Sequence, residues 1–220
     1  MAIVLIDIVL GGDNAIVIAL ASKSLPPRGR KLAMCWGIIG AVAVRAVLTA
    51  VALWLLKIPL LQFIGGVLLV WIAIKLLVEE KDVQCKTAGS LGEAIKIIIM
   101  ADVVMGVDNV IAIAGAAHGN IILVVIGLLI SVPIIMWGST VILKFMEKYP
   151  VIIYIGGGIL AWTAGQMMAS DQIIMDKLGV FIPGLEWLMP LLTVILVLVA
   201  GYYRNMQAKV NCNFTPDKNS

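Results

Sequence analysis

Runs of about 20 apolar residues follow one another along the chain, with polar residues held in short connections, and this pattern admits few folds. In hydrocarbon every backbone amide and carbonyl must find its partner within the protein, so only helices and closed barrels span a membrane. Continuous apolar runs of this length, without alternation, are helical. The chain is therefore read as all-α and polytopic, with seven transmembrane helices over about residues 2–22, 32–56, 58–78, 94–117, 121–145, 150–169 and 186–204. A soluble domain is excluded: only 13% of residues are charged, and a mean hydropathy of +1.09 leaves no coat for water. The net charge of +3 is too small to imply nucleic acid, and the basic residues are not interleaved with aromatic ones. Cys35, Cys85 and Cys212 are odd in number and widely spaced, which implies neither a disulfide framework nor a CxxC metal site.

Cytoplasmic loops retain Lys and Arg, so orientation follows from where these gather. With the N-terminus outside and the C-terminus inside, the cytoplasm collects Lys23, Arg28, Arg30, Lys31, Lys81, Lys86, Lys148, Lys209 and Lys218, and the outside holds little beyond Lys57 and Lys177. The first apolar run has no cleavage site and carries its positive charges on the wrong side for a signal peptide. Because that run begins at Met1 with no flanking residues, the first helix is expected to extend upstream in the natural protein.

Within this array the chain repeats itself. Asp7-Ile-Val-Leu-Gly11-Gly12-Asp13-Asn14-Ala-Ile matches Asp102-Val-Val-Met-Gly106-Val-Asp108-Asn109-Val-Ile at an offset of 95, both copies reading D-x-x-x-G-x-D-N. Lys57-Ile-Pro59 leading to Gly65-Gly66 and Trp71 parallels Lys148-Tyr-Pro150 leading to Gly156-Gly157 and Trp162, at an offset of 91. Residues 1–78 and 94–169 are thus two copies of a three-helix unit, joined by a cytoplasmic linker over 79–93. They are followed by an outer loop and seventh helix over 170–205 and a disordered tail over 206–220. Three crossings is an odd number, so the second copy enters the membrane in the opposite sense. That is the inverted-topology repeat of secondary transporters, which bind their cargo near the midplane where the halves meet.

A carboxylate at the bilayer centre costs about 2.5–3.5 kcal/mol on insertion scales, a heavy burden for Asp7, Asp13, Asp102 and Asp108 if they served packing alone. A spacing of six sets the two aspartates of each copy about 240° apart on an ideal helix. Local unwinding at Gly11-Gly12 and Gly106 is expected to bring them toward one point. With the amide oxygens of Asn14 and Asn109 they would form an oxygen cage, the donor set that Mg, Ca or Mn requires. Asp and Asn also serve as glue between membrane helices, but two copies at identical spacing favour a ligand set. Arg45, alone in the middle of the second helix, is the expected counter-charge, by an ion pair with one aspartate. Four aspartates, one arginine and one dication sum to about −1, so one carboxylate is expected to take up a proton, which suggests proton-coupled exchange.

Other residues carry weaker signals. His118 reads as a turn residue, Cys35 as a small apolar filler, Met100 and Met105 as packing, and Gly65-Gly66 and Gly156-Gly157-Gly158 as points of close helix approach. The charges of the connections, among them Glu79 to Lys86 and Asp171 to Lys177, read as solvated. No P-loop, Ser/His/Asp set or HExxH occurs, so ATP-driven pumping and catalysis are not expected, nor an organic cofactor or a nucleotide.

The doubled motif and the Arg45 helix resemble the TerC family of integral membrane proteins, in particular its YjbE-like bacterial branch, over about residues 1–205. The resemblance implies a seven-helix protein of the LysE-type exporter superfamily in a bacterial plasma membrane. It further implies Mn²⁺ efflux, with Asp7, Asp13, Asn14, Asp102, Asp108 and Asn109 matching the family's acidic motifs. The expected partners are a divalent metal ion, carried as substrate, and the lipid bilayer, with self-association left open. An exporter of another small solute such as an amino acid would instead use Arg45 as carboxylate partner. A membrane stress-response or assembly scaffold without transport would use the aspartates as helix glue.

Overall fold

The computed structural model describes residues 7, 11–51, 58–78, 90–116, 121–179, 182 and 184–213, which are helical almost throughout and include no strand. Seven helices of more than ten residues follow in order among them: α1 Gly12–Ser22, α2 Pro27–Ala50, α3 Leu61–Val78, α4 Leu91–Ala116, α5 Ile121–Lys148, α6 Val151–Ser170 and α7 Leu185–Asn213. Between α6 and α7 a short helical turn, Gln172–Ile174, runs into the π-helical stretch Met175–Gly179. Lys57, the Glu79–Lys86 linker, His118, Cys85 and residues 214–220 lie outside the described residues.

Local chemistry accounts for the ends that differ from expectation. α2 begins at Pro27 rather than near 32, because Pro26 is extended (ψ 156°) and Pro27 takes the first helical turn, where its missing N–H is not needed. α7 continues to Asn213, past the boundary expected near 205, since residues 204–213 contain no Gly or Pro to stop it. Leu60 turns the chain into α3 with a left-handed φ of 60°.

Among the described residues, five helices, α2, α3, α5, α6 and α7, are long and apolar enough to cross a membrane. The described part of α1 has 11 residues, and α4 carries Glu93, Lys96, Asp102 and Asp108 within its 26. The outward surface is apolar, with Trp36, Trp71, Ile122, Trp137 and Leu192 exposed, whereas Asp7, Asn14, Arg45, Asp102, Asn109 and Ser131 are buried. An apolar outside around a polar inside suits lipid as solvent, and the chain is an integral membrane protein.

Helix pairs form the bundle: α2 packs on α4, α5 on α1, and α3 on α6, with α7 against α6 and α3. Small residues make these approaches close. A Cβ on Gly66 would stand 2.6 Å from the Ala164 carbonyl oxygen, and one on Gly157 would stand 2.8 Å from Leu77. The α6–α7 contact is closed by Thr193, whose hydroxyl lies 2.8 Å from the Ala161 carbonyl oxygen, and by Gly165, where a Cβ would stand 2.4 Å from the Pro190 Cα.

At one end of the bundle the Lys23 ammonium donates to the Leu76 carbonyl at 3.0 Å, Arg30 pairs with Glu147, and Lys75 pairs with Glu93. Two expectations change elsewhere in the bundle. Asp171 does not solvate a loop; it is buried, and its carboxylate accepts from the Ile173 N–H at 3.1 Å and from the Phe63 N–H, at the start of α3, at 3.3 Å. Cys35 is not a packed filler but is exposed.

Candidate cation site

Asp7 and Asn14 are seven residues apart, which on a helix is two turns and nearly one face; Asp102 and Asn109 repeat that spacing. All four side chains are buried, and Asp7, Asn14 and Asp102 line one cavity. Arg45, 4% exposed, reaches the two aspartates from α2. One terminal nitrogen of its guanidinium donates to Asp7 Oδ1 and the other to Asp102 Oδ1, so one cation joins the first aspartates of both motif copies. The expected ion pair is thus a double one. The planar fork of arginine suits this, presenting two N–H groups to separate carboxylates where an ammonium offers a point charge.

Ser131 on α5 completes the Asp7 environment by donating to its Oδ2. The spacing of the motifs says nothing of this serine, although it is the one hydroxyl in the apolar run from Ile121 to Ile135, and that isolation was the available signal. Across the site, the Asn14 amide nitrogen donates to Asp102 Oδ1 at 3.3 Å. A carboxylate can only accept here, so the amide is oriented with Nδ2 toward Asp102 and Oδ1 away from it.

Two acceptor oxygens are then left over. Among the described residues, Asn14 Oδ1 and Asp102 Oδ2 are buried without a hydrogen-bond partner, as is the donor Arg45 Nε. Buried polar atoms are nearly always paired, so two orphaned oxygens on neighbouring side chains need an explanation. They adjoin a cavity of about 30 Å³ lined by Asp7, Asn14, Arg45 and Asp102 with apolar walls from Ile38 and Leu128. A second cavity, of about 20 Å³, lies between Asn14, Asp102, Ala41 and Ile98. Each suits one or two atoms the size of water. Asp7, Asp102 and Arg45 sum to one net negative charge in a region walled by apolar side chains, which attracts a cation.

The second aspartates stand apart from this cluster. Asp13 is half-buried, accepting from the Asn14 N–H at 2.9 Å and from the Thr163 hydroxyl of α6 at 3.4 Å. The Asp108 side chain lies outside the described residues. The expected unwinding at Gly106 does not occur, for α4 runs unbroken from Leu91 to Ala116. An intact helix keeps its own carbonyls paired, which apolar surroundings demand. In the first copy Gly11 (φ −97°, ψ 9°) lies in a turn ahead of α1, and its N–H still donates to the Asp7 carbonyl at 2.7 Å. Helical periodicity therefore governs the second copy, setting Asp102 and Asn109 on nearly one face, while Asp13 of the first copy turns toward α6. Among the described residues, no three His, Cys, Asp or Glu side chains gather as a ready metal centre. The donor set consists of two carboxylates, an amide and a hydroxyl, with Arg45 between the carboxylates.

The model of a family described as "Integral membrane protein TerC family" matches residues 1–209. The Bacillus subtilis "Uncharacterized membrane protein YjbE" is 48% identical over 207 residues, covering 92% of this chain and 93% of that protein. The Escherichia coli "UPF0053 inner membrane protein YgdQ" is 26% identical over 166 residues, covering 66% and 69%. The Escherichia coli "UPF0053 protein YegH" is 25% identical over 205 residues, which are 83% of this chain and 37% of that longer protein. No solved structure matches the chain.

Proposed function

The chain belongs to the TerC family of integral membrane proteins, and from that premise we propose that it is a secondary transporter of divalent metal ions, carrying Mn²⁺ out of the cytoplasm of a bacterium by alternating access around the Asp7–Asn14–Asp102 cluster. The observation that carries this reading is the pair of orphaned, buried oxygens, Asn14 Oδ1 and Asp102 Oδ2, beside a cavity with room for an ion. Oxygen-only donors suit hard dications. Manganese and export come from the family resemblance. The cavity size favours an ion over an amino acid, which would also find the Arg45 guanidinium already engaged by two carboxylates.

The packing supports an inverted repeat of three helices each, with α7 added. Exchanging α1 with α4, α2 with α5 and α3 with α6 turns the α2–α4 pair into α5–α1 and the α3–α4 pair into α6–α1, both of which are present. The α1–α4, α2–α5 and α3–α6 pairs map onto themselves. The end bearing Lys23, Arg30 and Lys75 is assigned to the cytoplasm by the positive-inside rule, which sets the N-terminus outside and the C-terminus inside. Asp13, half-buried against Thr163, and Asp108 with Asn109 in the second copy are assigned to the path by which the ion reaches the central cluster.

The test is metal content in a manganese-sensitive host. Cells expressing the wild-type chain should hold less Mn than cells expressing Asp102→Asn, Asp13→Asn or Asp108→Asn, with each protein verified in the membrane. Equal Mn in all of them rejects the cation site. In proteoliposomes, transport indifferent to a pH gradient would reject proton coupling while leaving the site standing.

A further inference from the structure

Arg45 lies where a dication bound to both repeats would lie. Its two terminal nitrogens hold Asp7 Oδ1 and Asp102 Oδ1, one from each motif copy, and it is only 4% exposed. A cation that takes both carboxylates and the guanidinium cannot share this space, because like charges buried together repel strongly where the dielectric constant is low. We propose that Arg45 is the protein's own counter-cation, which a divalent ion displaces from at least one carboxylate on entry and which restores its bridge as the ion leaves. The proposal rests on the reading of this cluster as a cation site and adds the device that releases the ion.

Three features favour a displaceable arginine over a fixed structural one. Its Nε–H is buried with no partner, so the guanidinium is held at its outer edge only. The flank on which Nε lies faces Gly106, the glycine of the second motif, where even an added Cβ would stand 3.9 Å away; the lack of a side chain leaves room there. The cavity lined by Arg45, Asp7 and Asp102 adjoins the same group. The consequence is a carrier whose site stays partly compensated without cargo and whose ion affinity is lower than the oxygens alone would confer. That favours release over trapping.

The experiment uses the full chain in lipid nanodiscs, with Mn²⁺ binding followed by the electron paramagnetic resonance of the free ion and thermal unfolding measured with and without Mn²⁺. Arg45→Gln should bind Mn²⁺ at least tenfold more tightly than wild type, unfold at a lower temperature without metal, and recover most of that loss with it. Arg45→Lys keeps the charge but lacks the planar fork that presents a separate nitrogen to each carboxylate, so it should fall between the two. The lysine variant separates displacement from a general effect of positive charge and serves where Arg45→Gln folds poorly. Wild-type binding that Asp102→Asn abolishes, together with an affinity of Arg45→Lys equal to or weaker than wild type, overturns the displacement proposal and leaves the cation site intact. If neither wild type nor the Arg45 variants bind Mn²⁺, the cation-site reading falls and takes this proposal with it.

Discussion

The Asn14 amide nitrogen lies 3.3 Å from Asp102 Oδ1, linking the last residue of the first D-x-x-x-G-x-D-N motif to the first residue of the second across 88 positions of sequence. The contact crosses the boundary between the two repeats at the centre of the bundle. Whatever alters the relation of the two motif copies must alter this bond, so the proposed alternating-access cycle would have to break or reshape it.

Asn14→Ala should destabilise the protein by about 1–2 kcal/mol, because a buried carboxylate oxygen loses a donor. Asn14→Asp should cost more, setting a third carboxylate beside Asp102, and Mn²⁺ should offset part of that cost. Unfolding curves in detergent with and without Mn²⁺ check both; an aspartate variant as stable as wild type without metal would count against the close contact.

Ser131→Ala should cost about 1 kcal/mol, since Asp7 Oδ2 loses the hydroxyl that donates to it. Ser131→Thr keeps the donor and should recover most of that stability. Manganese efflux should fall with the alanine variant more than with the threonine variant, measured as cell-associated metal.

Two glycines of α6 should respond with opposite sign to the same change. Gly165→Ala would bring a Cβ within 2.4 Å of the Pro190 Cα, backbone that cannot yield, and should destabilise by about 1–3 kcal/mol. Gly158 has nothing within 4 Å of that position, so Gly158→Ala should stabilise by up to about 1 kcal/mol through helix propensity alone. Thermal unfolding of the pair side by side distinguishes packing from propensity.

Asp171→Ala should cost about 1–3 kcal/mol, because two backbone N–H groups, of Phe63 and Ile173, lose their acceptor in a buried setting. Glu147→Gln, whose Arg30 partner is more accessible, should cost less than about 1 kcal/mol. A larger loss for Glu147→Gln than for Asp171→Ala would overturn this ranking.

Much of the molecule was legible from local pattern. The helix positions follow from hydropathy, because in lipid a run of 20 apolar residues has one economical backbone conformation. The duplicated motif is a matter of letters and offsets, and the isolation of Arg45 in an apolar helix announced a buried partner. The close approaches at Gly66 and Gly157 also followed from composition, since small residues are what allow helices to meet. The unwinding expected at Gly106 failed because it set a wish to cluster carboxylates against the need of backbone carbonyls for partners, and the second won.

By itself the sequence determined the solvent of this protein, its helices, and which residues recur in both halves, all of which depend on neighbours along the chain. Tertiary structure decided that Arg45 holds Asp7 and Asp102 together, that Ser131 supplies a hydroxyl to one and Asn14 an amide to the other, and that Asp13 turns to Thr163. It also decided that Asp171, read as a loop residue, is a buried cap. The reason is physical: periodicity states which face of its own helix a residue occupies, whereas partners 38 to 150 positions away are chosen by how the helices pack, and no local preference carries that information.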